Sequence, residues 1–288
     1  MNLGELTEEA VRAARVAGEL IQSYRDRDVK VEHKAGGDTL ASQVVTEVDE
    51  KAQAEILKIL KPTCAAHDLA LLTEEHEDDR GRLEKDFFWC IDPMDGTLSF
   101  VQGVPGYSVS IALVAKDGSP QIGVVYDAVN DVLYQATRGQ GILRNGMVWN
   151  WNQPGTNLTF TYDRSLRDHP QYQRVLEELA AIAEVRGLEG LDARQHGGAV
   201  MNACWVLERP AACHFKFAKP QAGGGSLWDY AATACLFQEA GAAVSDVYGD
   251  PLDLNRADST FMNHRGAVYA SDAELAAQAR ALLTKLAT

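Results

Sequence analysis

The segment that most constrains the fold is WCIDPMDGTLSF, residues 89–100, where an apolar run stops at two carboxylates set around a proline. The run before Asp92 is aromatic and apolar, as in a buried strand. We therefore expect Asp92 at a strand's carboxyl end, where open α/β sheets commonly bind ligands. Pro93 biases Asp92 toward an extended conformation, and Gly96 allows the backbone to approach a ligand closely before the chain turns.

These residue types suit a hard cation that carries a phosphate. Asp92 and Asp95 offer carboxylate oxygens to a metal, and the helical turn that Thr97 begins offers amide groups to an anion. A purely structural turn is the alternative, because Asp-Pro and Asp-Gly are both common turn formers. Local chemistry leaves both interpretations open, so distant residues must decide between them.

Composition is that of an ordinary globular protein, with 288 residues and 46% apolar content, enough for one large core or two smaller ones. The cysteines are odd in number, widely spaced and without a C-x-x-C pair, and the histidines lack ligand spacing such as H-E-x-x-H. We therefore expect free thiols in a reducing compartment rather than disulfides or a zinc site. The cysteines are Cys64, Cys90, Cys204, Cys213 and Cys235.

The net charge is -14, from 41 acidic and 27 basic residues. This acidity argues against binding a nucleic acid polymer or an anionic membrane through a basic face, and favours a small phosphorylated metabolite as partner. An anionic substrate would be repelled unless a bound cation intervened. The start of the chain lacks a signal-peptide layout and no stretch approaches the length of a membrane span, so we expect cytoplasmic residence.

Hydrophobic periodicity predicts the elements of the first half. Residues 6–25 read as an amphipathic helix, and a second helix has Asp49 in its first turn and is closed by Pro62. A short strand over residues 69–72 stops at acids, which predicts that Glu74 lies beside Asp92. An antiparallel meander is expected over residues 109–115, 122–129 and 132–136.

The second half alternates helices with single strands. Helices are expected over residues 172–183, 200–207, 230–240 and 273–286. Asp229 would open the third of these, either as an ordinary N-terminal capping acid or as a functional group. The pattern predicts an N-terminal α+β subdomain, residues 1–148, with an antiparallel sheet that carries most of the acidic site, and a C-terminal α/β subdomain, residues 149–288, that carries Asp229.

Four acidic motifs together resemble the inositol monophosphatase family in order and spacing. They are TEVD at residues 46–49, TEE at 73–75, WCIDPMDGT at 89–97 and LWDYAA at 227–232. Further similarity covers nearly the whole chain, in GYSVSIALV, IGVVYDAVNDVLYQATRGQG, GGAVMNACWVL and EAGAAVSDVYGDPLDL. Four scattered motifs are far more specific than one, and they favour the functional interpretation over a structural turn.

The resemblance implies an α/β (α+β) fold, a layered α-β-α-β-α sandwich, and a lithium-sensitive phosphatase with two to three Mg²⁺ per site, usually as a homodimer. It implies metal ligation by Glu74, Asp92, the Met94 carbonyl, Asp95 and Asp229. It implies catalytic roles for Asp49, Glu74 and Thr97. It implies phosphate or substrate binding by Asp95, Gly96, Thr97, Gly198, Ala199, Lys216 and Asp229.

The substrate is less determined by the resemblance. Inositol-specific members carry a glutamate where this chain has Lys216. Lys216 and Lys219, in a glycine-rich loop, would favour a bisphosphorylated nucleotide such as 3'-phosphoadenosine 5'-phosphate. The alternative is that this loop is only a solvated surface. The segment FVQGVPGYSVSIAL instead resembles the inositol-phosphatase branch. A phosphatase of the inositol monophosphatase type is expected, with a 3'(2'),5'-bisphosphate nucleotidase as the alternative. A non-catalytic regulatory member is a third hypothesis.

Overall fold

The computed structural model describes residues 1–25, 27, 29, 31–33, 44–153, 155–195, 197–223 and 225–286. The helices are α1 (Leu3–Ser23), α2 (Glu47–His67), α3 (Thr97–Val101), α4 (Arg164–Arg167), α5 (Tyr172–Val185), α6 (Ala199–Glu208), α7 (Leu227–Ala240) and α8 (Ala273–Leu286). The strands are β1 (Val31–His33), β2 (Val44–Thr46), β3 (Ala70–Thr73), β4 (Phe87–Asp95), β5 (Ser108–Ala115), β6 (Pro120–Asp127), β7 (Val132–Thr137), β8 (Ile142–Arg144), β9 (Met147–Val148), β10 (Leu158–Tyr162), β11 (Leu191–Gln195), β12 (Ala212–Lys216), β13 (Ala243–Ser245) and β14 (Ala267–Ala270).

Seven strands form the larger sheet, in the order β3-β4-β5-β6-β7-β8-β9. β3 pairs with β4 in parallel, and the remaining neighbours are antiparallel, so the expected meander is present. Turns of two or four residues join the consecutive strands from β5 to β9 and keep them adjacent. The parallel pair at one edge places the ends of β3 and β4 side by side.

Five strands form the second sheet, in the order β11-β10-β12-β14-β13. β10 pairs in parallel with both β11 and β12, and β14 pairs antiparallel with β12 and β13. Helices connect the parallel strands, as crossovers between parallel strands require. The carboxyl ends of β10 and β12 therefore lie next to each other.

Helices fill three layers around the two sheets. α1 and α2 share a core with one face of the seven-stranded sheet. α6 and α7 lie between the sheets, in a core that includes Leu72, Val125 and Tyr269. α5 and α8 cover the outer face of the five-stranded sheet. Amphipathic elements that bury their apolar sides in this way build the α-β-α-β-α sandwich, and the expected fold class is confirmed.

Helix α2 differs from the expected end at Pro62, because it continues to His67 with the proline inside it. Proline in a helix interior removes one backbone hydrogen bond. Packing of the buried face of α2 outweighs that loss, and the Trp89 indole donates a 2.8 Å hydrogen bond to Thr63 Oγ1 just after the proline. The residue after the helix, Asp68, is its C-cap and adopts the left-handed conformation.

Strand β4 also differs from expectation, because it does not end at Asp92. It runs to Asp95, with Asp92 opposite Ser110, Asp95 opposite Ser108 and a register shift between them. Pro93 has no N–H to donate to a ladder, so an irregularity is expected at this point.

All five cysteines are free thiols. No helix in the described part of the chain is both long and apolar enough to cross a membrane. The division of the chain at residue 148 stays a prediction.

Candidate metal and phosphate site

Asp92 and Asp95 project from the irregular end of β4. The Met94 N–H donates a 2.9 Å hydrogen bond to Asp92 Oδ1, which holds the turn of backbone between the two acids. Asp92 is 1% exposed and Asp95 is 8% exposed. The shift in register thus places two buried carboxylates close together, which a regular strand with alternating side chains would not do at this spacing.

Asp229 reaches the same place from the start of helix α7. It forms a capping box with Ser226, whose N–H donates a 2.7 Å hydrogen bond to Asp229 Oδ2. The side chain therefore caps its helix and also joins the acidic cluster, and its functional role stays a prediction. Ligand oxygens of Asp92, Asp95 and Asp229 all lie within 4.8 Å of one another.

The loop before helix α6 positions Asp95. The Val200 N–H donates a 2.9 Å hydrogen bond to Asp95 Oδ2. A Cβ atom at Gly198 would lie only 2.0 Å from that oxygen, so only glycine allows the carboxylate to sit against the backbone here. Gly198 and Ala199 both line the cavity, and the Gly198 N–H donates to the Gly106 carbonyl at 2.9 Å.

The electrostatics of the cluster fit a divalent cation. Burial, followed by the negative charge of neighbouring acids, raises the pKa of Asp92 and of Asp95 well above the ordinary range. Burial, and then Glu74, raises the pKa of Asp229 to about 6. Carboxylates packed together in this way repel one another unless a cation lies among them, and three hard oxygen donors match the preference of Mg²⁺.

Glu74 lies beside Asp92, as expected from the sequence. β3 pairs with β4 so that Thr73 lies opposite Ile91, and the Glu74 N–H donates to the Ile91 carbonyl at 3.1 Å. Glu74 lines the cavity, and its charge contributes to the raised pKa of Asp92. It lies outside the group of three acids whose oxygens approach within 4.8 Å.

Asp49 and Thr97 form a second polar pair next to the cluster. The Thr97 hydroxyl lies 2.9 Å from Asp49 Oδ1 and 3.1 Å from the Met94 carbonyl. Asp49 Oδ2 accepts from both the N–H and the hydroxyl of Thr46, at 2.8 and 2.7 Å, in a capping box that begins α2. Burial raises the pKa of Asp49 to about 6 despite these hydrogen bonds.

Gly96 separates the carboxylates from the short helix α3. Its φ is +86°, and a Cβ there would meet the Gly106 carbonyl at 2.4 Å, so both conformation and space require glycine. The amides of Gly96 and Thr97 stand at the start of α3, where N–H groups have no acceptor within the helix. Anions bind favourably at such positions.

One cavity, of about 1140 Å³, brings the predicted site together. Asp49 is 2% exposed and reaches this cavity through its hydrogen bond to Thr97. The following predicted residues line it: Glu74, Asp92, Met94, Asp95, Gly96, Thr97, Gly198, Ala199, Lys216 and Asp229.

The sequence suggested that Lys216 lies in a loop. It is instead the last residue of strand β12, opposite Ala267. Its ammonium lies 2.9 Å from Asp163 Oδ2. Burial alone would lower the pKa of Lys216, but the Asp163 charge outweighs it and the pKa lies above its usual value. Asp163 was not among the predicted residues, although it follows the apolar strand LTFTY as Asp92 follows its own.

The fold and the site together define a layered α/β protein with three converging carboxylates beside the start of a short helix, at one cavity. The family model described as the inositol monophosphatase family matches residues 2–285. The chain belongs to the inositol monophosphatase family.

Known relatives agree with this assignment. The Nus factor SuhB of Pasteurella multocida is 32% identical over 247 residues, 83% of this chain and 84% of that protein. The inositol monophosphatase from Anabaena (Nostoc) sp. has a TM-score of 0.70 at 24% identity, covering 99% of this chain and 97% of the other. The IMPase of Thermotoga maritima has a TM-score of 0.75 at 21% identity, covering 98% of each chain. These two structures show a shared fold.

The prediction about partners is wrong where it excluded any nucleic acid polymer. Relatives at 32% identity, including the one from Escherichia coli, carry the name Nus factor SuhB, and this name conflicts with partners restricted to small metabolites. The error has a physical reason. A net charge of -14 limits direct contact with a phosphate backbone, but it does not limit assembly through other proteins.

Proposed function

We propose that this chain is a Mg²⁺-dependent phosphatase that hydrolyses a small phosphate monoester. The observation that carries the proposal is the group of three carboxylates, the buried Asp92 and Asp95 and the partly buried Asp229, whose oxygens lie within 4.8 Å of one another at a cavity. Membership of a family named for a phosphatase supports it. The helix start at Gly96 supplies an anion site next to the acids.

The donor set fits Mg²⁺, since it consists of carboxylate oxygens with the Met94 carbonyl and Glu74 nearby. We assign metal ligation to Glu74, Asp92, Met94, Asp95 and Asp229. When bound, the metal would lower the pKa of a water molecule and neutralise the charge that develops as phosphate is displaced.

Thr97 and Asp49 would orient the attacking water. When the Thr97 hydroxyl donates its hydrogen to Asp49 Oδ1, 2.9 Å away, the Thr97 oxygen can accept a hydrogen bond from water. A proton that leaves the water can then pass by way of Thr97 Oγ1 to Asp49. The pKa of Asp49, about 6, suits a general base that works near neutral pH.

The phosphate would bind at the amides of Gly96 and Thr97. In-line displacement needs the phosphorus between the attacking water and the leaving oxygen, and a group held on fixed backbone amides is already oriented for it. This chain's residues thus supply binding, orientation and a proton acceptor. The arrangement requires no covalent intermediate on a side chain.

Phosphate release with Mg²⁺ tests the proposal, with inositol 1-phosphate, 3'-phosphoadenosine 5'-phosphate, fructose 1,6-bisphosphate and a simple sugar phosphate as substrates. The wild type should release phosphate from at least one of them, and EDTA should stop it. Asp92→Asn should abolish turnover with the fold retained, because the buried ligand oxygens lose their charge. The matched control is Asp117→Asn, which neutralises an acid in the surface turn before Ser119 and should keep full activity. Undiminished turnover by Asp92→Asn would refute the assignment.

A Nus factor role is a second candidate, and the name of the 32% identical relatives favours it. The acids and hydroxyl expected of a catalyst are all present, so the two roles are compatible in one chain. Failure to release phosphate from every ester, with Mg²⁺ bound and the fold intact, would leave only this second candidate.

The bisphosphate nucleotidase alternative has less support in the structure than in the sequence. It depended on the positive charges of Lys216 and Lys219 as a site for a second phosphate, and both residues line the cavity. The carboxylate of Asp163, 2.9 Å from the Lys216 ammonium, neutralises the charge of Lys216 and would repel a second phosphate there. We therefore expect 3'-phosphoadenosine 5'-phosphate to have no advantage over a nucleoside monophosphate.

A further inference from the structure

Helix α2 carries a second buried polar side chain close to the acidic cluster. Gln53 lies one turn after Asp49 and is 3% exposed. Residues four apart share one face of a helix, so both side chains leave α2 on the same side. Glutamine is seldom buried to this extent, and a buried amide needs a hydrogen bond to offset the loss of water.

Gln53 binds the turn that carries Glu74. The Gln53 side-chain oxygen, Oε1, accepts a 3.2 Å hydrogen bond from the Glu75 N–H. The preceding N–H, that of Glu74, donates to the Ile91 carbonyl of β4 at 3.1 Å. Two successive N–H groups are thus fixed, one by the sheet and one by α2. The Cα atom of Glu74, which bears the carboxylate side chain, lies between them.

This turn leaves the core within a few residues. Thr73 is 2% exposed, Glu74 is half-buried and His76 is exposed. Strand β3 ends at Thr73, so the ladder with β4 no longer fixes the direction of the chain beyond the Glu74 N–H. A side chain on such a turn has conformational freedom that it loses when it binds a cation. A hydrogen bond to a rigid helix removes part of that freedom beforehand.

Helix α2 also holds the opposite side of the site. Thr97 Oγ1 lies 2.9 Å from Asp49 Oδ1, and the charge of Glu74 contributes to the raised pKa of Asp49. One face of α2 therefore binds the start of α3 through Asp49 and, one helical turn later, the Glu74 turn through Gln53. The helix fixes both parts of the site relative to each other.

We infer that Gln53 is a positioning residue, which holds the Glu74 carboxylate at the metal site by way of the Glu75 N–H. This inference rests on the proposed function for the role of Glu74 as a metal ligand. Groups that orient a metal ligand without touching the metal commonly contribute about 10-fold to 100-fold in metal affinity. Gln53 therefore contributes to Mg²⁺ affinity although it does not line the cavity that holds the acids.

Calorimetric titration of the metal-free protein with MgCl₂ tests the inference without any substrate. Gln53→Met keeps the length of the side chain but removes the acceptor, and it should weaken Mg²⁺ binding about tenfold. Gln53→Glu keeps an acceptor oxygen in the same place and should bind Mg²⁺ no more weakly than the wild type. Gln53→Asn is one methylene too short to reach the Glu75 N–H. It should resemble Gln53→Met, and it replaces that variant if the methionine protein does not fold.

A double-mutant cycle with Glu74→Ala separates positioning from a general loss of structure. Glu74→Ala removes a ligand and should weaken Mg²⁺ binding by itself. Because Gln53 acts through Glu74, Gln53→Met should cause little further loss of affinity in the Glu74→Ala background. Losses that multiply in the double variant would overturn the inference, as would an affinity that either single variant leaves unchanged.

The control is Thr7→Val, which removes a 4% exposed hydroxyl far from the cavity lining. The Thr7 hydroxyl donates to the Leu3 carbonyl and shares a hydrogen bond with Thr137 Oγ1, both at 2.8 Å. Thr7→Val should lower the melting temperature and leave Mg²⁺ affinity unchanged. If it weakens Mg²⁺ binding as much as Gln53→Met does, the effect of Gln53 is one of general stability and the inference is wrong.

Phosphate release distinguishes this inference from the proposed function. If the variants follow the expected order of Mg²⁺ affinity and no ester is hydrolysed, the proposed function is wrong and the role of Gln53 stands. If esters are hydrolysed and Gln53→Met needs no more Mg²⁺ than the wild type for half-maximal rate, the inference is wrong and the phosphatase assignment stands.

Discussion

Asp229→Asn is expected to stabilise the metal-free protein at neutral pH. Burial and the charge of Glu74 raise the pKa of Asp229 from 3.8 to about 6, which at 1.36 kcal/mol per pKa unit corresponds to about 3 kcal/mol. Folding of the metal-free wild type bears this cost whenever Asp229 is ionised. Asparagine carries no charge, and its Oδ1 can still accept the hydrogen bond from the Ser226 N–H.

The sign of the pH dependence follows from the raised pKa. Between 3.8 and about 6 the folded protein binds a proton at Asp229 more tightly than the unfolded chain does. The stability that this proton contributes is complete below the unfolded value of 3.8 and is lost as the pH rises through about 6. The advantage of Asp229→Asn should therefore be small near pH 4 and reach its full size near pH 7.

Thermal unfolding in EDTA measures the effect. For a chain of this size we expect roughly 2 °C per kcal/mol, so the variant should melt roughly 6 °C above the wild type near pH 7. Excess MgCl₂ should reverse the order, because the proposed ligation gives the wild type four carboxylates for the cation and the variant three. Asp117→Asn is the control, since its hydrogen bonds to Ser119 lower the pKa of Asp117 and its loss should not stabilise the protein. An Asp229→Asn variant no more stable than the wild type in EDTA would refute the reasoning.

Two further predictions concern the groups that hold the acids in place. Gly198→Ala should weaken Mg²⁺ binding, measured by calorimetry, by roughly tenfold or more, because the new Cβ would lie 2.0 Å from Asp95 Oδ2. The control is Gly190→Ala, whose Cβ would have no atom nearer than 3.9 Å and which should not change Mg²⁺ affinity. Equal Mg²⁺ affinity in the two variants would count against this role of Gly198. Thr46→Val should move the acidic limb of the kcat/KM profile to higher pH, because the Thr46 hydroxyl lowers the pKa of Asp49 against its burial. An unchanged acidic limb, or a shift of that limb to lower pH, would contradict this role of Thr46.

Much of the local structure was predictable from the sequence. The apolar run before Asp92, the meander after it and the amphipathic helices all carry periodic patterns that depend on neighbours a few residues away. The resemblance to a family then connected Asp49, Glu74 and Asp229 with Asp92. The structure places these residues around one cavity, with Asp49 connected to it through Thr97.

Details that depend on contacts distant in the chain were not predictable. Pro62 lies inside α2 because tertiary packing compensates for the lost backbone hydrogen bond. Lys216 ends a strand and pairs with Asp163, 53 residues earlier in the sequence, so its ion pair cannot be inferred from the residues next to it in the chain. The rings of His169 and Phe217 stack on each other, although the separate sequences of their two segments give no sign of stacking.

The sequence by itself determined which chemical groups this protein has and which local elements carry them, since strand runs, caps and glycine turns follow from short-range sterics and hydrogen bonding. Only the tertiary structure decided that the acids of β4 and α7 converge and that Asp163 neutralises Lys216. Convergence depends on how sheets and helices pack, which sums many weak contacts over the whole chain. The raised pKa of Asp92 has the same origin, because burial by distant residues removes the water that would otherwise stabilise its charge.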